Sequence, residues 1–275
     1  MTSQPSVNSS QEGVPVDLEG RTIVVAGGTG NVGRYVVGGL LEAGATVVIP
    51  SRSPDKLEAI KAVGQNGSTG RVVTALGDVT DEVDGPRIVQ GLRNEVGPLH
   101  GAVASLGGFV PVPSILEASR EQLATALEGY VRAHLGAAQN LVPALEGGGG
   151  YLFINGPLAF DLWSPEASLV SVVTAAQAML ARAVAKEVDG PPSESRRSVP
   201  SAPPRVNELV IYTAVGWGEA DKKSPVSPRD IGRYVAHLLS ERAEPTHGES
   251  IHLRSPDQLQ VIGRRSPTGP YPHPR

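Results

Sequence analysis

The chain has 275 residues, a formal charge of −4 at pH 7, 40% hydrophobic but only 4% aromatic residues, 33 glycines and no cysteine. Its length suffices for one large domain with a substantial core, and a glycine-rich, ring-poor composition suits tightly packed layers of strands and helices. The composition excludes disulfides and cysteine metal sites; the scattered arginines leave no basic footprint for nucleic acid, and the six histidines show no ligand spacing, so no metal is expected.

The N-terminus has no basic region followed by an apolar run, and no segment reaches the roughly 20 apolar residues of a membrane span, so a cytoplasmic protein without a membrane partner is expected. Residues 1–16, polar and rich in Ser and Gln, read as a disordered leader to a single domain over 17–261. The β-branched run from Thr22 to Ala26 predicts a buried strand, followed at once by glycines at 27, 30 and 33 in the spacing G-x-x-G-x-x-G. Between strand and helix, that spacing reads as a phosphate cradle. Gly27, Thr29, Gly30, Asn31, Val32 and Gly33 bring backbone close to a pyrophosphate, and the N–H groups of the next helix's first turn face the anion.

Val32 to Ala43 is amphipathic and stops at Gly44; strand two is Thr46 to Pro50, and Ser53-Pro54 caps a helix through Val63. Strand three is Val72 to Leu76, a third helix covers Pro86 to Val96, and strand four is Leu99 to Leu106. Ser114 to Leu145 is read as mostly helical, with a capping box at Ser119 and Gln122, and Gly147 to Gly150 as a break before strand five, Tyr151 to Asn155. Ser164-Pro165-Glu166 caps a long helix to about Val188, residues 189–205 form a mobile Pro/Ser/Arg insert, and strand six is Val206 to Tyr212. A helix from Ser227-Pro228 to Leu239, a short strand from Glu249 to Leu253 and a disordered tail over 262–275 complete the chain. Alternation of strand and helix makes a doubly wound parallel α/β sheet.

The end of strand two selects the dinucleotide. An acidic residue there would bind the ribose diol and repel a 2′-phosphate; Ser51 and Arg52 instead favour the phosphate, so NADP(H) is expected over NAD(H).

In the order of these pieces the chain resembles the short-chain dehydrogenase/reductase family from about Asp17 to Leu253, on Asp17-Leu18-Glu19-Gly20, the glycine turn, Asp78-Val79, Arg205-Val206-Asn207 and Thr246-His247-Gly248. The resemblance implies a Rossmann-like sheet of order 3-2-1-4-5-6-7, adenine recognition by Asp78 and Val79, and cofactor contacts from Ser105 and Gly107 at the end of strand four. It also implies a small-molecule substrate and a homodimer or homotetramer built on the small-residue helices 119–145 and 165–188. The family's catalytic tyrosine and lysine, however, fall on Val170 and Thr174, and its serine on Gly156. Candidate replacements are Asp161, Arg132 and His134, with Phe109 and Trp163 as pocket walls. The readings left open are an atypical reductase of a small carbonyl or iminium, a non-redox cyclase or isomerase on the same scaffold, and a cofactor-binding protein without turnover.

Overall fold

The run TIVVA forms β1 (Thr22–Ala26), buried at every position. Its side chains divide by alternation: Ile23 and Val25 enter one apolar layer, Val24 and Ala26 the other. A strand buried on both faces is the centre of a parallel sheet, and β1 lies between its neighbours β2 (Thr46–Ser51) and β4 (Leu99–Ala104). With β3 (Arg71–Leu76), β5 (Leu145–Asn155), β6 (Arg205–Ile211) and β7 (Ser250–Leu253) the sheet has seven strands in the order β3-β2-β1-β4-β5-β6-β7, every pair parallel. The computed structural model describes residues 16–64, 68–190, 202–216, 224, 226–241, 243 and 245–260. Positions 1–15 of the leader expected over 1–16, positions 191–201 of the insert, the tail over 262–275 and residues 217–223 lie outside them, while Val16 is half-buried and packs on the core.

Helices α1 (Gly33–Glu42) and α2 (Pro54–Gly64) contribute to one layer, and α3 (Asp84–Val96) to the other. The stretch expected to be mostly helical over 114–145 is so, in segments: a 3-10 turn at Ile115–Glu117, α4 (Arg120–Leu127), a π turn at Glu128–Arg132, α5 (Ala133–Leu141) and a second 3-10 turn at Val142–Ala144. The long helix α6 (Ser168–Asp189) follows β5, α7 (Pro228–Leu239) follows β6, and α8 (Asp257–Gln260) follows β7. Contrary to the reading that no segment is apolar enough to span a bilayer, Pro165–Asp189 meets that criterion of length and composition; half of the qualifying stretch is buried inside the fold.

Capping follows the sequence closely. Ser53, Ser119 and Ser227 accept from the backbone N–H three residues on, and Gln122 completes the box at Ser119. Ser164 makes no such bond, because Pro165–Ala167 forms a separate 3-10 turn and α6 starts only at Ser168. Nor do the glycines 147–150 end a helix: they belong to β5, which pairs Leu145 with Leu99, bulges at Gly147 and Gly148 through positive φ, and resumes pairing at Gly150.

One catalytic candidate belongs to the core. His134 is fully buried on α5, stacked on Phe153 at 5.8 Å, with Nδ1 2.7 Å from the Tyr130 carbonyl. Burial drives its pKa down to about 4, outweighing the carbonyls of Tyr130 and Ala104. It is a neutral packing residue, because its apolar helix face points at the sheet and not at solvent.

Two predictions follow from this packing. A Cβ on Gly33 would lie 2.0 Å from the Gly27 carbonyl oxygen, whereas one on Gly30 meets only that oxygen at 3.1 Å. Gly33→Ala should therefore cost about 1–3 kcal/mol by overpacking, and Gly30→Ala well under that, in urea unfolding midpoints. For His134, the unfolded chain takes up a proton below about pH 6.5 while the folded chain resists until about pH 4. Stability from this residue is thus lost as pH falls through that window, by roughly 2–3 kcal/mol between pH 7 and 4.5. His134→Leu should flatten the pH dependence of unfolding by that amount; an unchanged slope would contradict it.

Candidate active site

The site is assembled at the carboxyl ends of the strands, where the order reverses between β1 and β4. Gly27 turns with φ +81°, and a Cβ there would lie 2.1 Å from the Ser105 carbonyl oxygen. The turn from β1 thus runs flush against the loop leaving β4. Gly30 N–H bonds back to the Gly27 carbonyl at 2.9 Å, Thr29 and Val32 are half-buried, and Gly30 and Asn31 face solvent. Asn31 also meets the loop after β6, since a Cβ on Gly216 would be 2.4 Å from its amide nitrogen.

On the β2 side, Ser51 is half-buried and its hydroxyl accepts from Ser53 N–H at 3.3 Å. The Arg52 side chain is 82% exposed, with Nη1 3.5 Å from Asp78 Oδ2. Asp78 is oriented through its other oxygen, which accepts from Thr80 N–H at 2.9 Å and Thr80 Oγ1 at 2.6 Å. Val79 is buried, and the loop is held from beneath by the Asn140 amide, which donates to the Val79 and Asp81 carbonyls, each at 3.0 Å. An exposed guanidinium beside an oriented carboxylate can hold a phosphate and a hydrogen-bond donor side by side.

Beyond β4, Gly107 (φ +108°) lies against the ring of Tyr130, where a Cβ would approach to 2.6 Å. The Tyr130 hydroxyl donates to the Gly108 carbonyl at 2.8 Å, and burial pushes its phenol pKa up. Tyr130 sits in the π turn, a helical irregularity concentrated at functional sites. Sequence reasoning missed it; the only signal was a tyrosine four residues before His134 in a chain poor in rings.

The structure does not bring the three catalytic candidates together. Arg132 is exposed, and its Nε donates to both Glu128 oxygens, at 2.7 and 2.9 Å, one turn back on its own helix. That pairing holds its charge on the helix surface. His134 is in the core, as described above. Asp161 is exposed on the loop after β5, its backbone N–H donating to the Pro157 carbonyl at 3.1 Å. Phe109 and Trp163 are 45% and 61% exposed on the loops after β4 and β5.

Val170 and Thr174 on α6 are each 3% exposed, and the Thr174 hydroxyl donates to the Val170 carbonyl at 2.7 Å. Behind them lies a buried polar network that the sequence did not reveal. Asn155 donates to the Thr174 carbonyl at 3.0 Å and to Glu208 Oε1 at 2.7 Å and accepts from Gly156 N–H at 2.8 Å; Ser250 donates to the other Glu208 oxygen at 2.6 Å. The loop carrying Gly156 and Asp161 therefore starts from a fixed base. Among the described residues, no group of three His, Asp or Glu is placed to hold a metal ion.

Comparison with known proteins bears on the family and the fold. The short chain dehydrogenase family matches residues 21–189. The chain is 24% identical over 267 residues to the hydroxynaphthalene reductase-like protein Arp2 of Metarhizium acridum, covering 89% of this chain and 97% of that one. A shorter match, 41% identical over 76 residues and 26% of this chain, spans only 21% of the 3-ketodihydrosphingosine reductase ksrA of Aspergillus fumigatus. Among solved structures, L-sorbose reductase from Gluconobacter frateurii, in complex with NADPH and L-sorbose, shares the fold with a TM-score of 0.72 at 22% identity, covering 88% of this chain and 98% of that one. With more than half its length matched in the order that the sheet displays, the chain belongs to the short-chain dehydrogenase family.

Proposed function

We propose that this protein is an NADP(H)-dependent oxidoreductase with an atypical active site, reducing a small organic carbonyl or iminium. The observation that carries the reading is the cradle: a turn with glycine at 27, 28, 30 and 33 where β1 meets α1, with the Arg52 guanidinium exposed at the end of β2. These residues fit the dinucleotide. Backbone from Gly27 to Gly33 would take the pyrophosphate, Ser51 and Arg52 a 2′-phosphate, and Asp78 the adenine amino group, with Ser105 and Gly107 along the path past β4. Once bound, the dinucleotide supplies the hydride.

The family's proton donor has no counterpart at Val170, whose side chain carries no acidic proton, and the Thr174 hydroxyl is bonded to the Val170 carbonyl. Gly156 offers no hydroxyl. Asp161 is the ionisable group on the adjacent loop that faces solvent; its carboxylate would orient the substrate by accepting a hydrogen bond, and an iminium substrate needs no acid at all. The same missing donor favours, as a second reading, a non-redox cyclase or isomerase on this scaffold. Substrate turnover with stoichiometric NADPH consumption separates the two.

We also infer a homodimer or homotetramer. Leu123 and Leu127 of α4, Leu135 of α5, and Val172 and Met179 of α6 are 36–60% exposed, an apolar helical surface of the kind subunits cover.

Replacing Arg52 with Asp should cut the ratio of NADPH to NADH affinity by roughly 10–100-fold, since a charge-assisted contact becomes a repulsion. The readout is dinucleotide titration followed by fluorescence, and an unchanged ratio sinks the assignment. Leu127→Glu with Met179→Glu should convert the oligomer to a folded monomer in sedimentation velocity. A wild-type monomer at micromolar concentration would overturn the subunit model.

A further inference from the structure

We propose that Tyr212 is the proton donor of this site, with Arg254 holding its oxygen and His252 returning the proton, a role that rests on the dinucleotide reading above. Val170 has no acidic proton to give, and Asp161, as a carboxylate, accepts hydrogen bonds and donates none. With Arg52 and Asp78 taking the adenine side at β2 and β3, the reacting half of the cofactor falls to the strands beyond the reversal, β4, β5 and β6. Tyr212 is the first residue past the carboxyl end of β6. Asn155 pairs with Val210, so Gly156, the family's serine position, and Tyr212 follow the same rung on adjacent strands, which lie about 4.8 Å apart. The chain beyond Tyr212 then comes back to the cradle at Gly216, against Asn31.

Three side chains converge there. The Tyr212 hydroxyl is 2.9 Å from His252 Nδ1, and Arg254 Nη2 donates to the same oxygen at 3.1 Å while its guanidinium lies over the Tyr212 ring, 4.7 Å from the centroid. Register explains the meeting. Val210 pairs with His252, and alternation puts Tyr212, His252 and Arg254 on the sheet face that carries Glu208 and Ser250, the side on which Asn155 reaches the Thr174 carbonyl of α6. Tyr212 N–H donates to the Leu253 carbonyl at 3.2 Å, and Phe160 packs on the His252 ring at 5.0 Å. Gln258 fixes the end of β7, donating to the His252 carbonyl and accepting from Arg254 N–H, each at 2.6 Å.

A guanidinium on the phenol oxygen favours the phenolate left after proton loss, and an imidazole within hydrogen-bond reach can replace the proton. With the hydride delivered to the carbonyl carbon, the C=O π pair moves to oxygen and takes the Tyr212 proton, breaking the phenol O–H bond. The Nδ1–H tautomer of His252 then gives its proton to the phenolate, and the ring's other nitrogen takes the replacement from water. Burial, and after it the charges of Arg254 and Arg182, hold the His252 pKa below its ordinary value, so the imidazole is neutral at neutral pH and passes a proton on instead of storing one.

The test labels the whole chain with benzenesulfonyl fluoride, which forms an S–O bond to a phenol as fluoride leaves and the phenol proton passes to a nearby base. Mass spectrometry reads which of the six tyrosines are modified. Tyr212 should react about tenfold or more faster than any other, His252→Asn and His252→Phe should each slow it about tenfold, and saturating NADPH should protect it about tenfold. An unshifted melting temperature checks the fold of each variant. With 4-nitrobenzaldehyde as the carbonyl probe and NADPH oxidation as the readout, Tyr212→Phe should lower kcat about 100-fold while the NADPH Kd, from fluorescence titration, moves less than about threefold. Labelling of Tyr212 no faster than of the other tyrosines, or unchanged by both His252 variants, overturns the proposal, as does NADPH that binds without protecting Tyr212 or a Tyr212→Phe enzyme with full kcat. NADPH that fails to bind overturns the dinucleotide reading instead, and labelling that still depends on His252 then supports the relay by itself.

Discussion

The Ser105 carbonyl oxygen lies 2.1 Å from where a Cβ on Gly27 would sit, and that approach governs the site. It lets the β1 turn and the β4 loop leave the sheet in contact with each other, just where the strand order reverses and the covering helices change face. A side chain at position 27 would wedge the two loops apart and also force an L-residue into a φ of +81°. Gly33 repeats the device one turn later, bringing the start of α1 against the Gly27 carbonyl. The N–H groups at the start of α1 are thus placed by two backbone-to-backbone contacts and not by any side chain.

One helical segment then ties both flanks of the cleft together. At its N-terminal side Tyr130 fills the space beside Gly107 and bonds Gly108; at its C-terminal side Asn140 holds the carbonyls of Val79 and Asp81. The loop that presents Asp78 to Arg52 and the loop that meets Gly27 are therefore braced by the same packed element, α5 with its π turn. His134, between those two anchors, is buried against Phe153 and keeps this element seated on the sheet. Its burial, unhelpful for chemistry, is part of what fixes the cofactor side of the site.

The features legible in the sequence are those set by short-range rules. The strand-turn-helix at residues 22–42 and the three serine caps were readable because β-branched runs, glycine spacing and capping residues act within a few positions, whereas the sheet order was implied by the family resemblance. What was not legible depends on distant partners. Glycines 147–150 look like a breaker until β4 is there to pair with them, and Ser164 looks like a cap until Pro165–Ala167 closes its own turn. Arg132 and His134 are two residues apart on the same helical stretch, yet one pairs with Glu128 at the surface and the other is fully buried. Nothing local distinguishes them, because which side of a helix meets the sheet is decided by the whole packing. The Asn155–Glu208–Ser250 network is invisible for the same reason: its members come from three different strands.

That network also bears on where chemistry can occur. A carboxylate as buried as Glu208, only 1% exposed, is tolerated because each oxygen accepts a short hydrogen bond, and removing either donor would leave an uncompensated buried acceptor. Asn155 meets three partners at once and is committed to the floor of the site; Thr174 is bonded along its own helix, and Gln177 to the Ile154 carbonyl at 2.8 Å. Asn155 and Glu208 are therefore committed to one another and to their neighbours, whereas the Gln177 side-chain oxygen is buried without a hydrogen-bond partner. On the reading proposed here, the positions that would carry redox machinery in the family have become structural, and the chemistry moves outward to Asp161. An exposed carboxylate such as Asp161 can discriminate between ligands only once water is excluded from around it, because in open solvent its attraction for a donor is screened.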